Sequence, residues 1–243
     1  MRRVVIVQAR LGSTRLPGKV LMDLAGRPML TQILRRLASC KLVDDVIVAT
    51  TDSPSDDPIV AAARHADAGC FRGSEHDVLS RYAGAARDAR ADVIVRVTAD
   101  CPLIDPEVTD AVIEALCSSA ASVDYVSNVI DRTYPRGLDV EALFRDVLER
   151  VDRRGRSPEA REHVTHFILR EHPNLFSCHS VVDRVDNSDL RWTVDEPDDL
   201  EMARRLYADL DLGDRICSYR EVLAHVRANP EIVALNARVR QKP

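Results

Sequence analysis

The sequence predicts an α/β protein with a mostly parallel central sheet flanked by helices. Three observations carry this. Short β-branched runs alternate with segments of helical spacing through the first half of the chain. The connections between them are short, as in sheets with helices on both faces. Leu, Ile, Val and Phe make up 67 of the 243 residues, well above the roughly 20% below which disorder is expected. With 9 Gly and 12 Pro the chain is not low-complexity.

Arg3–Ala9 (RVVIVQA) reads as a buried strand. The loop Arg10–Lys19 follows, broken by Gly12, Pro17 and Gly18. Over Met29–Ala38, the residues Met29, Ile33, Leu34 and Leu37 share one helical face. Asp45–Thr50 is a second strand, Ile59–His65 a second helix and Cys70-Phe71 a short third strand. Asp77–Ala89 is helical, and Asp92–Thr98 (DVIVRVT) is the clearest strand. Pro106–Cys117 is a helix with Pro106 in its first turn and Asp105 as N-cap. Beyond Asp124 the alternation loosens. Asp124–Val129, Leu138–Leu143 and Leu175–Val182 read as strands, and Ser157-Pro158 opens a helix running to about Glu171. Arg191–Val194 is a short strand, and Pro197–Tyr207 and Tyr219–Ala228 are closing helices. No Pro-, Gly- or Ser-rich linker and no repeat divides the chain. The expectation is one domain over residues 1–243, elaborated by residues 124–190.

The net charge of −5 conceals an asymmetry. Residues 1–36 carry eight basic side chains (Arg2, Arg3, Arg10, Arg15, Lys19, Arg27, Arg35, Arg36) and one acid, Asp23. The rest of the chain is acidic, so a nucleic-acid partner is not expected, whereas a local anion site near the N-terminus is. Arg35 and Arg36 are simplest as the solvated face of a helix. Val4–Val7 is too short for a secretory signal, and no run approaches a membrane span. The six scattered cysteines read as reduced thiols. A cytoplasmic protein with no membrane partner is expected.

In open α/β sheets, ligands bind beyond the carboxyl ends of the strands. The segment Gln8-Ala9-Arg10-Leu11-Gly12-Ser13-Thr14-Arg15-Leu16-Pro17-Gly18-Lys19 sits at such an end. Its glycines allow backbone N–H groups close to an anion, Ser13 and Thr14 add hydroxyls, and Arg10, Arg15 and Lys19 add charge. Lys19 is one of only three lysines in the chain. A P-loop is not matched, because five residues separate Gly12 from Gly18 and Val20 follows the lysine. G-x-G-x-x-G is absent too. The alternative is a solvated basic loop.

The run A-R-x-G-S-T-R-L-P-G-K, followed by Leu21 and Gly26-Arg27-Pro28-Met29-Leu30, resembles the N-terminal signature of the CMP-sugar synthetases. It is similar to the 3-deoxy-manno-octulosonate and acylneuraminate cytidylyltransferases, and more so to the spore coat polysaccharide biosynthesis cytidylyltransferase-like family. The resemblance extends over most of the chain and is strongest at residues 4–30, 92–102 and 191–201. It implies a Rossmann-like nucleotidyltransferase fold, a homodimer, and a place in nucleotide-sugar and polysaccharide biosynthesis. The implied reaction couples CTP to a sugar acid and releases pyrophosphate.

Transfer at an α-phosphate calls for Mg²⁺, usually held by one or two carboxylates. Asp100, in Thr98-Ala99-Asp100-Cys101-Pro102, and Asp195, in Val194-Asp195-Glu196-Pro197, are each the first acid beyond an apolar strand. Taken singly, each also suits a turn or helix N-cap. The resemblance pairs them: Asp100 matches the magnesium aspartate of a G-D-x-P context, and Asp195 that of V-D-x-P-E-D-L. There are departures. The octulosonate enzymes have Gln-Gly where this chain has Thr98-Ala99, and Glu where it has Cys101, which leaves room for a different acceptor.

Arg72-Gly73-Ser74-Glu75-His76-Asp77-Val78-Leu79 resembles the spore coat family's segment at the cytosine end of the site. This adds Arg72, Gly73, Asp77 and Val78 to Gln8, Ala9, Arg10, Gly12, Ser13, Arg15, Lys19 and Thr98 as nucleotide-binding candidates. The segment is equally a helix N-cap and first turn. Tyr134–Glu141 and Arg161–His166 also look like spore coat segments, and make Arg136, Asp139, Glu141, Arg161, Glu162 and His163 acceptor-binding candidates. His163 and His166 lack a third zinc ligand and an H-E-x-x-H frame. Trp192 is more simply core than a stacking platform.

The leading reading is a Mg²⁺-dependent cytidylyltransferase with Arg10, Arg15, Lys19 and Asp100 as its catalytic residues and Asp100 and Asp195 on the metal. Its partners are CTP and an anionic small-molecule acceptor, a nonulosonic or octulosonic acid or else a phosphorylated or phosphonate compound. Two other readings stay open. One is a glycosyltransferase of the same fold, though its usual D-x-D is missing at Thr98-Ala99-Asp100. The other is a non-catalytic nucleotide-binding protein.

Overall fold

The computed structural model describes residues 1–118 and 123–240. The chain begins with β1 (Arg3–Gln8), a small hairpin of β2 (Asp23–Leu24) and β3 (Arg27–Pro28), then α1 (Met29–Leu37). Next come β4 (Asp45–Thr51), α2 (Asp57–His65), β5 (Gly69–Gly73), α3 (Val78–Asp88), β6 (Val93–Thr98) and α4 (Pro106–Ser118). The second half adds β7 (Tyr125–Ser127), β8 (Glu141–Phe144), α5 (Arg145–Arg154), α6 (Pro158–His163) and β9 (Cys178–Ser180). It closes with α7 (Pro197–Asp209), α8 (Tyr219–Ala228) and α9 (Pro230–Leu235).

The main sheet has the order β5-β4-β1-β6-β8-β7-β9. All of its strands run parallel except β8, which is antiparallel to β6 and to β7. Residues 124–190 therefore extend the same sheet. Its central strands are apolar on both faces, as parallel strands under helices must be. Val5, Val7, Val95 and Val97 face one core with α1, α2, α4, α7, α8 and α9. Val4, Ile6 and Ile94 face the other with α3, α5 and α6. From β1 the chain runs outward to β4 and β5, then crosses back to β6 on β1's other side. That reversal opens a crevice where Gln8 and Thr98 end their strands side by side.

Three expectations are corrected. The helix opened by Ser157 stops at Val164, whose φ of 49° breaks it before a π-helical turn at Phe167–Glu171. Val164, Phe167 and Ile168 all still reach the second core, so their spacing hides the break. Arg191–Val194 is extended but joins no ladder, making a single bridge between Arg191 and Arg136. Its N–H groups go instead to single loop carbonyls, Trp192 N to Arg136 O and Val194 N to Asp100 O. Arg36 is not on a solvated face. It is 2% exposed and donates to the carbonyls of Ile104 (2.5 Å) and Cys217 (2.9 Å). Trp192 is core, as expected, and Asp105 caps α4 by accepting from Val108 N.

Gly137 sets how closely residues 136–139 approach the 191–194 segment. Its φ is +102°, and a Cβ there would lie 2.6 Å from the backbone of both Trp192 and Thr193. A Gly137→Ala substitution adds strain of about 1–3 kcal/mol to that overlap. It is expected to lower urea-unfolding stability by at least about 2 kcal/mol. A wild-type midpoint would show that the two segments are not held by this contact.

Candidate active site

The loop after β1 is shaped by its own backbone contacts. Gly18 takes a left-handed conformation, with φ of 71°, and turns the chain into the short helical turn Lys19–Leu21. Gly18 N donates to Leu11 O, closing the loop on itself. Asp56, nearly fully buried after β4, accepts from Leu11 N at 2.9 Å and from the Thr51 hydroxyl, tying the loop to the sheet. Asp56 was not among the expected site residues. Its partner in the loop, Leu11, is 45 positions away, so no local pattern marks the contact.

Lys19 is the centre of the site. Only 8% exposed, it places Nζ 2.9 Å from Asp100 Oδ2, 2.9 Å from Asp195 Oδ1 and 2.8 Å from Val194 O. Burial alone would lower its pKa, but the Asp100 and Asp195 carboxylates outweigh that and hold it above the ordinary lysine value. Asp195 shows the converse. Burial pushes its carboxyl up, while Lys19, Arg15 and Arg191 together bring it below the usual aspartate value. Arg15 reaches Asp195 Oδ1 at 2.9 Å, and Arg191 reaches Oδ2 at 2.9 Å. Asp100 Oδ1 accepts from the Thr98 hydroxyl.

A cleft of about 250 Å³ opens beside this cluster and is lined by Gln8, Ala9, Arg10, Ser13, Arg15, Lys19, Thr98 and Asp100 among others. A second, of about 260 Å³, shares Arg15, Thr98 and Asp100 and continues to Arg136, Asp139, Thr193 and Asp195. Each contains a guanidinium with no carboxylate partner among the described residues: Arg10 in the first, Arg136 in the second. Burial, with Arg132 and Arg191 nearby, holds the Arg136 pKa below the ordinary arginine value. Asp139 is bound in two places by Arg132, at 2.6 and 2.7 Å.

Other expected residues are engaged elsewhere. Glu141 forms an ion pair with Arg96 and accepts from Tyr125 Oη at 2.8 Å, because β8 sets it directly opposite Arg96 of β6. Arg161 pairs with Asp77 (2.6 Å) and Asp152 (3.0 Å), which ties α6 to α3. Asp77 also caps α3 through Ser80 N. Val78 is in the second core. Arg72 donates to Asp57, Thr51 O and Ser53 O. Glu162 and His163 are exposed on α6. None of these lines either cleft. The turn after Gly73 does border the loop, since the Glu75 carboxylate lies 3.7 Å from where a side chain at Gly12 would begin.

Among the described residues no group of three or more His, Cys, Asp or Glu gathers as a metal cage. Asp100 and Asp195 nonetheless form an all-oxygen pair that one cationic nitrogen already bridges. Such a pair fits Mg²⁺, which binds through one or two carboxylates, substrate phosphates and water rather than a protein cage. Among the described residues no helix is long and apolar enough to cross a membrane.

Residues 4–223 match the family model described as cytidylyltransferase. The chain is 32% identical to the spore coat polysaccharide biosynthesis protein SpsF of Bacillus subtilis, across 93% of this chain and 94% of that one. It is 33% identical to a 3-deoxy-manno-octulosonate cytidylyltransferase of Anaeromyxobacter dehalogenans, across 86% of this chain and 99% of that protein. The structure of a cytidylyltransferase from Leptospira borgpetersenii serovar Hardjo-bovis superposes with a TM-score of 0.91 at 32% identity, covering 96% of this chain and 97% of that one. The fold, the loop and the comparisons agree: the chain belongs to the cytidylyltransferase family and is a CTP-dependent nucleotidyltransferase.

Proposed function

We propose that the enzyme transfers CMP from CTP to an anionic sugar acid of the octulosonic or nonulosonic type, releasing pyrophosphate. One observation carries the reading. Two clefts meet at Arg15, Thr98 and Asp100, and each holds an arginine that forms no ion pair with a carboxylate of the described residues. Arg10, with Arg15 and Lys19, suits the triphosphate; Arg136 suits the acceptor's carboxylate, which a guanidinium grips through two parallel hydrogen bonds. The matched 3-deoxy-manno-octulosonate cytidylyltransferase supports the acceptor class.

In this reading Asp100 and Asp195 hold Mg²⁺. Bound there, it neutralises phosphate charge and helps align the α-phosphorus for in-line attack. Arg10, Arg15 and Lys19 hold the β- and γ-phosphates and take up the charge of the leaving pyrophosphate. The backbone of the turn after Gly73 faces the cytosine, and Arg136 with Asp139 orients the acceptor. With the acceptor's carboxylate held by Arg136, the attacking oxygen is a sugar hydroxyl: its bond to the α-phosphorus forms as the bond to pyrophosphate breaks, and its proton passes to water, since neither cleft presents a histidine or glutamate as base. The dependence on CTP supports a cytoplasmic enzyme. A homodimer formed through residues 124–190 would cover the exposed Ile130, Val182 and Val185.

Asp100→Asn is expected to lower kcat by at least 100-fold in a CTP-dependent pyrophosphate-release assay, read at a temperature where the variant is still folded, since loss of the Lys19 partner also lowers its stability. Near-wild-type turnover would remove Asp100 from the chemistry. Pyrophosphate release with octulosonic or nonulosonic acids, and not with phosphorylated or phosphonate compounds, is the result expected of an acceptor screen; the reverse preference would overturn the sugar-acid assignment. The lowered carboxyl of Asp195 also has a consequence for stability in the absence of substrates. Its contribution is complete above the ordinary aspartate value of 3.8 and is lost as pH falls through the lower folded value. Denaturant unfolding from pH 7 down to 3 should therefore show a steeper loss for wild type than for Asp195→Asn; parallel curves would contradict the shift.

A further inference from the structure

Asp195 divides its two oxygens between two tasks. Oδ1 faces the cleft, 2.9 Å from both Lys19 and Arg15. Oδ2 faces backward, 2.9 Å from Arg191 Nη2. Arg191 is itself held by a fork to Asp199, Nε to Oδ1 at 2.9 Å and Nη2 to Oδ2 at 3.0 Å. Asp199 is 0% exposed, and its Oδ2 also accepts from the backbone N–H of Asp195 and Glu196. The last contact comes from the C-terminal end of the chain. Asn236, buried just after α9, donates from Nδ2 to Asp199 Oδ1 at 2.9 Å and to Arg191 O at 3.0 Å. It lies beyond residue 223, where the match to the family ends.

We propose that Arg191, Asp199 and Asn236 form a buried relay that orients Asp195, so that the C-terminal segment around α9 sets how well the site holds a divalent cation. These are positioning residues and do not touch substrate. The physical argument rests on direction. A carboxylate free to rotate offers either oxygen, or both, to a cation. One whose rear oxygen is bonded to a fixed guanidinium offers a single oxygen along one line. Arg191 cannot turn, because Asp199 grips it in two places, and Asp199 is fixed by two backbone N–H groups at the start of α7. Asn236 fixes the other end through both Asp199 and the Arg191 carbonyl. Groups that orient a metal ligand in this way commonly change metal affinity by 10–100-fold when removed.

The proposal rests on the metal assignment given above, and the experiment separates the two. Mn²⁺ binding to the full chain in the presence of CTP is followed by electron paramagnetic resonance. In parallel, the Mg²⁺ concentration for half-maximal pyrophosphate release is measured. Asn236→Ala is expected to raise both about 10-fold, and Arg191→Lys, which keeps the charge but loses the fork, by up to about 100-fold. KM for CTP at saturating metal should stay within about twofold of wild type. Ile232→Val, a packing change on α9 that leaves the relay intact, should reduce thermal stability without moving either metal value. Wild-type metal affinity in a folded Asn236→Ala protein overturns the relay, whether or not Arg191→Lys folds. So does an Ile232→Val protein whose metal affinity falls as far as that of Asn236→Ala, since helix packing alone would then suffice. If the wild-type protein binds no Mn²⁺ with CTP, the metal assignment itself fails and the relay falls with it.

Discussion

The buried ammonium of Lys19 organises this molecule. It joins carboxylates 81 and 176 positions along the chain, together with a main-chain carbonyl. Removing one partner from such a group leaves an uncompensated charge in a poorly solvated place, a loss of several kcal/mol. The arrangement therefore survives only if three segments arrive together: the loop after β1, the exit of β6 and the extended segment before α7. The parallel pairing of β1 with β6 brings the first two to one edge. Gly137 and the carbonyl of Asp100, which accepts from Val194 N and the Thr193 hydroxyl, bring the third.

Around that centre the basic residues of the N-terminal segment divide into two kinds. Lys19 and Arg15 are balanced by Asp100, Asp195 and Glu196. Arg10 has no such partner among the described residues, and its counterpart across the junction, Arg136, has none either. A balanced cation holds the protein together, whereas an unbalanced one at a cleft wall is suited to an anionic ligand. Arg161, Arg72 and Arg132 are each paired with a carboxylate too, but unlike Arg15 and Lys19 they line neither cleft.

How much was legible followed sequence distance. The loop from Gln8 to Lys19 was readable because its glycines, hydroxyls and cations are contiguous and follow a strand. Asp100 and Asp195 were readable as the first acids past apolar runs, although only the fold could say that those runs end together. The ion pairs of Glu141 and Arg161 were not legible, because acidic and basic residues in an irregular region look alike whether they face a ligand or each other. Glu141 faces Arg96 through strand register, and Arg161 faces Asp77 through helix packing, neither of which leaves a local trace. Asp56, Arg191, Asp199 and Asn236 escaped notice for the same reason, although Asp199 three residues after Glu196 carries the spacing of a capping box.

By itself, the sequence determined what depends on neighbours along the chain. That covers the alternation of strand and helix, the apolar faces that make both cores, and the cationic loop at the end of β1. Periodicity and turn chemistry act over a few residues, so they can be read without the fold. Tertiary structure alone decided which charges neutralise one another, and so which remain for a ligand. Burial of Arg36, the pairing of Arg96 with Glu141 and the threefold grip on Asp195 are contacts between distant segments. Electrostatic energy depends on separation in space and on exclusion of water, and neither is written in the order of the residues.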